Sequence, residues 1–434
     1  MSLHAASPAD PVLEAEFPAS GDDVEAVVEG VVEGVVEAVA PQGEGRPLGT
    51  DWTLFGAVVA LGTLGVVMAF SASYYLAVHR MGDEFYFLHR HLRYAAIAMV
   101  ALLGFSRLPY QALRTLAPVG LWASLGMLVL VLLIGETRNY ATRWLFGFQP
   151  AELAKLGFIV FIAHALVRRV EKGTLRNFWR GMAPLLLIYG LFVGLLMKQP
   201  DMGTALVLGV LVFGMAFIAG ARVAPLFWLG SVLIAAAGAF IAQNPMRLGR
   251  IMAWLDPFGD FHGKGYQLAN SILAVALGGP FGRGLGASQQ KLGFLPEAHT
   301  DFVLAILAEE LGVVGVSLVA VLMLVVVWRG LAIAASARCE FGRLVAFGVT
   351  LLVGTQAAVN FGVVLGILPT KGLTLPFVSY GGTSLIVMAA AVGILLSIGR
   401  GGDPEWREHL PDLPDWRRDG RPRNRRSRRK GAAA

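Results

Sequence analysis

The feature that most constrains this chain is a succession of ten apolar stretches, each close to the roughly 20 residues that an α-helix needs to cross a bilayer. Polar backbone groups cannot remain unpaired in hydrocarbon, so these stretches are expected to be helices. The chain is 56% hydrophobic and 15% charged, whereas soluble domains contain about 25% charged residues. The sequence therefore predicts an all-α polytopic membrane protein and excludes a soluble multidomain enzyme. The predicted spans are 52–76, 89–105, 117–135, 151–166, 182–197, 203–220, 223–242, 302–328, 344–368 and 376–398.

The two ends of the chain differ in charge from the apolar centre. Residues 1–50 are acidic, and glutamate recurs at every fourth position from 25 to 37. On a helix these carboxylates would form one stripe and repel each other. We therefore expect a solvated, disordered tail, and an amphipathic helix that docks on a partner is the alternative. Residues 401–434 are rich in arginine. Ten of the chain's 36 lysines and arginines lie in this short tail, so the basic pI does not indicate nucleic-acid binding.

An even number of spans places both termini on the same side of the membrane. The arginine-rich end marks that side as cytoplasmic, and the loops alone are nearly balanced in basic residues. The predicted organisation is an acidic cytoplasmic tail, 1–50, a ten-helix transmembrane domain, 51–400, and a basic cytoplasmic tail, 401–434. The single cysteine, Cys339, excludes an intrachain disulfide framework.

One connection, 243–301, is much longer than the others and lies on the extracytoplasmic side between the seventh and eighth spans. Loops of this length are usually functional. It contains a glycine-rich apolar stretch, 277–286, which lacks the strand-then-helix context of a dinucleotide site. We expect this stretch to be a re-entrant or interfacial segment that packs on the helix bundle.

Unusual polar residues collect where the fourth, sixth, eighth and tenth spans begin, and all four spans start at the extracytoplasmic face. Helix amino termini present free N–H groups and a partial positive charge, so they attract anions. Four helix starts that converge beside several cations would form a pocket suited to phosphate. The cations are Arg143, Lys155, Lys198 and Lys371.

The same helix starts carry carboxylates that could bind a divalent cation or abstract a proton. They are Glu152, Asp201, Glu297 and Asp301. Asp301 precedes a long apolar run, where a charge without a function is costly. The others have structural alternatives: Asp201 caps its helix, and Glu152 pairs with Lys155. His299 has one too, as an orienting residue.

Two further acids, Glu309 and Glu310, lie about two turns deeper in the eighth span. A regular helix places Glu309 roughly 80° around from Asp301 and Glu310 on the opposite side. At most one of them is expected to face the same cavity as Asp301. The other is expected to pair with a neighbouring helix, unless a kink brings it in. A mixed-charge, outward-facing pocket of this kind suits a transporter as well as an enzyme.

Four motifs occur at these helix starts. They are Gln149-Pro-Ala-Glu152-Leu-Ala-Lys155, Gln199-Pro-Asp201-Met-Gly203-Thr204, Leu295-Pro-Glu-Ala-His-Thr-Asp301-Phe followed by Glu309-Glu310-Leu-Gly312, and Ser379-Tyr380-Gly-Gly382. In this order they make residues 52–400 resemble the bacterial SEDS family of shape, elongation, division and sporulation proteins. The run 369–376 and Ala298 resemble the division branch of that family more than the elongation branch.

The resemblance implies a peptidoglycan glycosyltransferase that polymerises lipid II, the undecaprenyl-pyrophosphate-linked disaccharide-pentapeptide, into septal glycan. Asp301 matches the family's essential aspartate and is expected to take the proton of the acceptor 4-hydroxyl. The candidate substrate-binding residues, which are expected to hold the pyrophosphate, orient the donor or shape the pocket floor, are Arg143, Glu152, Lys155, Lys198, Asp201, Glu297, His299, Lys371, Ser379 and Tyr380.

The resemblance also implies partners and a location. A class B penicillin-binding transpeptidase is the expected partner, with other membrane proteins of the division machinery, in the bacterial inner membrane at the septum. A divalent cation, Mg²⁺ or Mn²⁺, is expected to assist, although the sequence does not indicate its ligands, and no organic cofactor is expected. The alternative functions are a lipid II flippase and a non-catalytic scaffold. No internal inverted repeat, the usual signature of such transporters, is visible, and the charged pocket argues against a scaffold alone.

Overall fold

The computed structural model describes residues 49–401, apart from 139–140, 223, 226–227, 229, 232–237, 240–241 and 244. This part of the chain is a bundle of long helices, most of which begin where the sequence changes from polar to apolar. The helices are α1 (Trp52–Leu76), α2 (Tyr86–Arg107), α3 (Gln111–Ile134), α4 (Pro150–Glu171), α5 (Ala183–Lys198), α6 (Met202–Ile218), α7 (Pro245–Leu255), α8 (Tyr266–Gly278), α9 (Val303–Ala335), α10 (Glu340–Val364) and α11 (Gly382–Gly399).

The predicted all-α polytopic architecture is confirmed. Seven helical segments are long and apolar enough to cross a membrane, judged by length and composition. Helix α6, with 17 residues, is shorter, and α2 carries three arginines, at positions 90, 93 and 107. Of the ten predicted spans, only 223–242 has no matching helix with defined bounds, because many of its residues lie outside the described part of the chain. The terminal tails, 1–48 and 402–434, also lie outside it.

Several predicted boundaries are wrong. The connection 243–301 is not a plain loop, because it contains α7, α8 and a 3₁₀ turn, Gln290–Leu292. The tenth span becomes helical only at Gly382, since the backbone N–H of Tyr380 donates to His299 instead of to a helical carbonyl. Helix α9 extends to Ala335 and is interrupted at Gly312, where φ is 67° and ψ is −164°.

A short antiparallel hairpin is the one sheet among the residues that the structure describes. Strand β1 (Glu136–Arg138) pairs with β2 (Ala141–Trp144) between α3 and α4. Thr137 and Thr142 face each other across the pair, with their hydroxyls 2.8 Å apart, an arrangement that suits β-branched residues. The sequence analysis missed this hairpin, which carries Arg143.

The bundle has a buried centre, and the helices around it expose apolar surface. Helices α4, α10 and α11 are mostly buried, whereas α3 and α5 expose much of their apolar surface. Helix α2 packs along α11, and α9 packs against α1 and α10. Gly65 of α1 permits one especially close approach, because a Cβ there would collide with the carbonyl oxygen of Phe377. This contact sets α1 against the turn that precedes α11.

Candidate active site

Four helix starts meet at one end of the bundle, which we call the site end. The backbone N–H of Gln149, before α4, donates to the hydroxyl of Thr383 in the first turn of α11 (3.2 Å). Gly203, in the first turn of α6, lies against the side chain of Leu373, which a Cβ would approach to 3.2 Å. The loop 371–375 therefore contacts the start of α6 and leads into the start of α11.

The start of α9 is tied to the same loop by one amide. Asn360 of α10 is buried, and its Nδ2 donates to the carbonyl oxygens of Asp301 (2.9 Å) and Leu373 (2.8 Å). On the other side, a Cβ on Gly372 would lie 3.2 Å from Oδ2 of Asp301. The Asp301 carboxylate thus faces the backbone of the loop 371–375, where the four helix starts converge.

The surroundings of Asp301 raise the pKa of its carboxyl group. Burial raises the pKa of this carboxyl to about 7, and the negative charges of Glu297 and Asp201 act in the same direction. The guanidinium of Arg143 opposes them and lowers the pKa. A carboxyl that is half ionised near neutral pH has the properties of a general base.

Glu297 builds the turn from which Asp301 projects. Its φ of 54° lies in the left-handed region, which is unusual for a residue with a side chain. Its carbonyl oxygen accepts the N–H groups of Thr300, Asp301 and Phe302, and its carboxylate accepts the hydroxyl of Thr300 (3.0 Å). Strained backbone of this kind is concentrated at functional sites.

Arg143 reaches the site from the hairpin. Its Nε donates to the carbonyl oxygen of Gln199 (3.1 Å), and its Nη2 donates to that of Pro200. Asp201 follows directly and caps α6, accepting the N–H (3.2 Å) and the hydroxyl (2.8 Å) of Thr204. The capping interpretation of Asp201 is therefore confirmed, and its charge still contributes to the pKa of Asp301.

The predicted pair in α4 is present. The Nζ of Lys155 lies 2.7 Å from Oε1 of Glu152, and Lys155 is 0% exposed. Its charge is neutralised locally, so the pair is a buried structural element beside the site as well as a candidate for substrate contact. Of the other predicted cations, Lys371 is half-buried next to Gly372, whereas Lys198 is exposed at the end of α5.

A group of aromatic rings borders the site next to Asp301. The ring of His299 lies 5.6 Å from that of Tyr380 and 5.7 Å from that of Phe87, measured between centroids. Burial lowers the pKa of His299 and raises the pKa of Tyr380 to about 12. Both side chains are therefore neutral near pH 7 and can exchange hydrogen bonds with a neutral substrate group.

Two further buried side chains lie in this region. Ser379 is buried, and its hydroxyl accepts the N–H of Leu375 (2.9 Å), so it stabilises the turn before α11. His91 of α2 was missed: it is 0% exposed, 5.5 Å from the Tyr380 ring, and neither ring nitrogen has a partner among the described residues. Its one sequence signal is a histidine that follows Arg90 at the start of an apolar span.

Comparison with known proteins identifies the family of the chain. The family model for FtsW, RodA and SpoVE, described as "Cell cycle protein", matches residues 51–402. The chain belongs to this family. A relative from Geobacter metallireducens named "Probable peptidoglycan glycosyltransferase FtsW" is 43% identical over 356 residues, which cover 80% of this chain and 94% of the relative. The "Stage V sporulation protein E" of Bacillus subtilis is 39% identical and covers 78% and 93%.

Solved structures of the family share the fold. The crystal structure of the Thermus thermophilus rod shape determining protein RodA is 31% identical, with a TM-score of 0.60, over 81% of this chain and 97% of that one. A chain from a peptidoglycan synthase complex, described as coordinating polymerization and crosslinking, is 31% identical, with a TM-score of 0.66, over 81% and 98%. The predicted family is therefore confirmed, and the relatives named FtsW agree with the division branch.

Proposed function

We propose that this protein is a peptidoglycan glycosyltransferase that polymerises lipid II during septal wall synthesis, with Asp301 as the general base. One observation carries the proposal: the Asp301 carboxyl, with its pKa raised to about 7, lies where four helix starts and the Arg143 guanidinium converge. The family relatives named as peptidoglycan glycosyltransferases support the reaction class.

The chemistry requires one proton transfer and one displacement. The carboxylate of Asp301 accepts the proton of the acceptor sugar's 4-hydroxyl while that oxygen attacks the donor's anomeric carbon. The bond from the anomeric carbon to the pyrophosphate oxygen breaks, and undecaprenyl pyrophosphate leaves with both electrons. In this proposal Arg143, Lys371 and the partial positive charge at the helix starts stabilise that negative charge.

The lipid tail of the substrate needs an apolar surface that leads to the site. A groove of about 160 Å³ runs between α1, α2 and α11. Phe377, in the turn before α11, is one of its walls, and Gly62 and Met99 are others. We propose that this groove receives part of the undecaprenyl chain and holds the pyrophosphate at the level of the 371–380 segment.

A divalent cation, Mg²⁺ or Mn²⁺, is proposed to arrive with the substrate. Within the part of the chain that the structure describes, no group of three or more His, Cys, Asp or Glu side chains could hold a metal ion. Mg²⁺ is commonly bound by one or two carboxylates together with substrate phosphates. The cation would neutralise charge on the pyrophosphate, and Glu297 and Asp201 are the carboxylates whose negative charges act on Asp301.

The proposed setting is the bacterial inner membrane at the septum, with both termini in the cytoplasm and the site end outside. The seven apolar helices of spanning length support a multi-pass membrane protein. A class B penicillin-binding transpeptidase is the proposed partner, together with other division proteins. The structural similarity to a chain from a complex that coordinates polymerization and crosslinking supports this partnership.

The test is glycan synthesis from purified lipid II by the solubilised protein, with its transpeptidase and Mg²⁺ or Mn²⁺. Wild type is compared with Asp301→Asn and with a matched control, Asp260→Asn, whose carboxylate only caps the N–H of Lys264 in an exposed turn. We expect polymer from wild type and control and none from Asp301→Asn. Equal polymer from all three would exclude Asp301 as the base. No polymer from any, with lipid II translocated in proteoliposomes, would support a flippase instead.

A further inference from the structure

The glycine-rich segment 279–293 docks into the interruption of α9. At Gly312 the backbone leaves the helix, and the N–H of Val313 donates to the carbonyl oxygen of Gly279 (3.0 Å) instead of to its own helix. A Cβ at position 312 would collide with the backbone nitrogen of Gly282. The segment therefore packs and hydrogen-bonds at the break in α9. This break lies directly after Glu309 and Glu310.

Both carboxylate oxygens of Glu309 bind the segment 279–293. Its Oε2 accepts the hydroxyl of Ser288 (2.5 Å) and the N–H of Gln290 (3.2 Å). Its Oε1 accepts the N–H of Gln289 (2.9 Å) and lies 3.6 Å from the guanidinium of Arg283. The side chain is 0% exposed. Its charge is therefore committed to residues 283–290 and does not reach Asp301.

Glu310 faces the other way and joins three elements. Its Oε1 lies 2.8 Å from Nζ of Lys291, and both carboxylate oxygens accept the hydroxyl of Ser71 in α1. The same ammonium group also donates to Ser71 (2.9 Å). We call Glu309 and Glu310, with Ser71, Ser288 and Lys291, the carboxylate clamp.

Burying the charged groups of the clamp carries a large desolvation cost. Removing ionised groups from water costs several kcal/mol per ion, and well-packed apolar residues are often at least as stabilising. Charges inside membrane proteins are accordingly rare and commonly mark function. What the clamp provides beyond stability is a defined geometry, because each carboxylate has partners that fit only one placement of residues 283–291.

Two backbone hydrogen bonds shape the loop between the clamp and Asp301. The carbonyl oxygen of Gln290, whose N–H is held by Glu309, accepts the N–H of Leu295 (2.9 Å). Two residues later, the carbonyl oxygen of Glu297 accepts the N–H of Asp301 (3.1 Å). The loop 288–301 is therefore fastened to α9 at both ends, at Asp301 and two turns further along at Glu309.

We propose that Glu309 and Glu310 are positioning residues for glycosyl transfer, which act by fixing the loop that carries Glu297 and Asp301. This inference rests on the proposed function of the Asp301 site. The clamp acts through this loop. It sets the direction in which the Asp301 carboxylate points, and a displacement of about 1 Å in such a group can reduce a rate on the order of 100-fold.

The test uses the full-length protein with its transpeptidase, lipid II and Mg²⁺ or Mn²⁺. Glu310→Gln and Lys291→Met each break the ion pair, Ser288→Ala removes one bond to Glu309, and Lys291→Arg keeps the charge. Glu340→Gln is the matched control, since it breaks a largely buried pair with Arg343 (2.6 Å) at the other end of the bundle. For each variant, kcat, KM and the detergent melting temperature are measured.

The inference predicts a split between the kinetic constants. Glu310→Gln and Lys291→Met should lower kcat on the order of 10- to 100-fold with little change in KM. Lys291→Arg should restore most of kcat, and Glu340→Gln should match wild type. A purely structural role would lower the melting temperature and the active fraction but leave kcat per folded molecule unchanged, and that result would overturn the inference.

Three further outcomes are also decisive. If the ion-pair variants do not fold, Ser288→Ala decides: a several-fold loss of kcat supports the clamp, and wild-type kcat refutes it. If wild type makes polymer, Asp301→Asn makes none and every clamp variant is fully active, the inference fails while the proposed function stands. If wild type makes no polymer, it is the proposed function that fails.

Discussion

The pKa of Asp301 predicts that one substitution changes activity and stability in opposite directions. The ordinary pKa of this carboxyl is 3.8, and burial raises it to about 7 in the folded protein. The folded state therefore holds the proton more tightly than the unfolded state. Protonation contributes stability that is fully present below about pH 3.8 and is lost as the pH rises to about 7.

The size of this effect follows from the difference between the two pKa values. At 1.36 kcal/mol per pKa unit the upper limit is about 4 kcal/mol. Asp301 is only half-buried, so solvent screening reduces the expected value to about 1–2 kcal/mol. Asp301→Asn replaces the carboxyl by a neutral group of similar size and removes this cost. The variant should therefore be more heat-stable than wild type at pH 8, while polymerisation falls on the order of 100- to 10,000-fold.

The assay is a pair of pH series in detergent, one of melting temperatures and one of wild-type polymerisation rates. The advantage of Asp301→Asn should grow from pH 4 to 7 and then level off. The wild-type rate should rise about tenfold per pH unit below pH 7 and then become constant. A variant that melts below wild type at pH 8, or a wild-type rate that is flat between pH 5 and 8, would refute the assigned ionisation.

Three other predictions concern the neighbours of Asp301. Arg143→Leu removes the charge that lowers the pKa of Asp301, so the acidic limb of the pH–rate profile should move to higher pH; Lys172→Leu, at an exposed position after α4, is the comparison. Gly372→Ala places a methyl group 3.2 Å from Oδ2 of Asp301 and should lower kcat several-fold with an unchanged melting temperature. Asn360→Leu leaves the carbonyl oxygens of Asp301 and Leu373 without their shared donor, which should cost about 1–3 kcal/mol and lower both the melting temperature and kcat.

Much of this protein follows from local sequence. A span in lipid must satisfy its own backbone hydrogen bonds, so the apolar runs alone located most of the long helices of the described chain. Local chemistry also placed the cap at Asp201 and the i, i+3 pair of Glu152 with Lys155, since each partner lies within three residues. The family motifs are short contiguous runs of sequence at the same helix starts, so they identify the family without the fold.

Contacts between distant residues were decided by the tertiary structure. Ser71 meets Glu310 across 239 positions. Arg143 reaches the carbonyl oxygen of Gln199 from a hairpin whose strands, of three and four residues, are too short to show a strand pattern in the sequence. A 3.6-residue period could state that Glu309 and Glu310 point apart, but not that the broken helix at Gly312 gives each of them its own partners. The period of a helix depends on its backbone alone, whereas the partner of a buried charge depends on which element packs beside it.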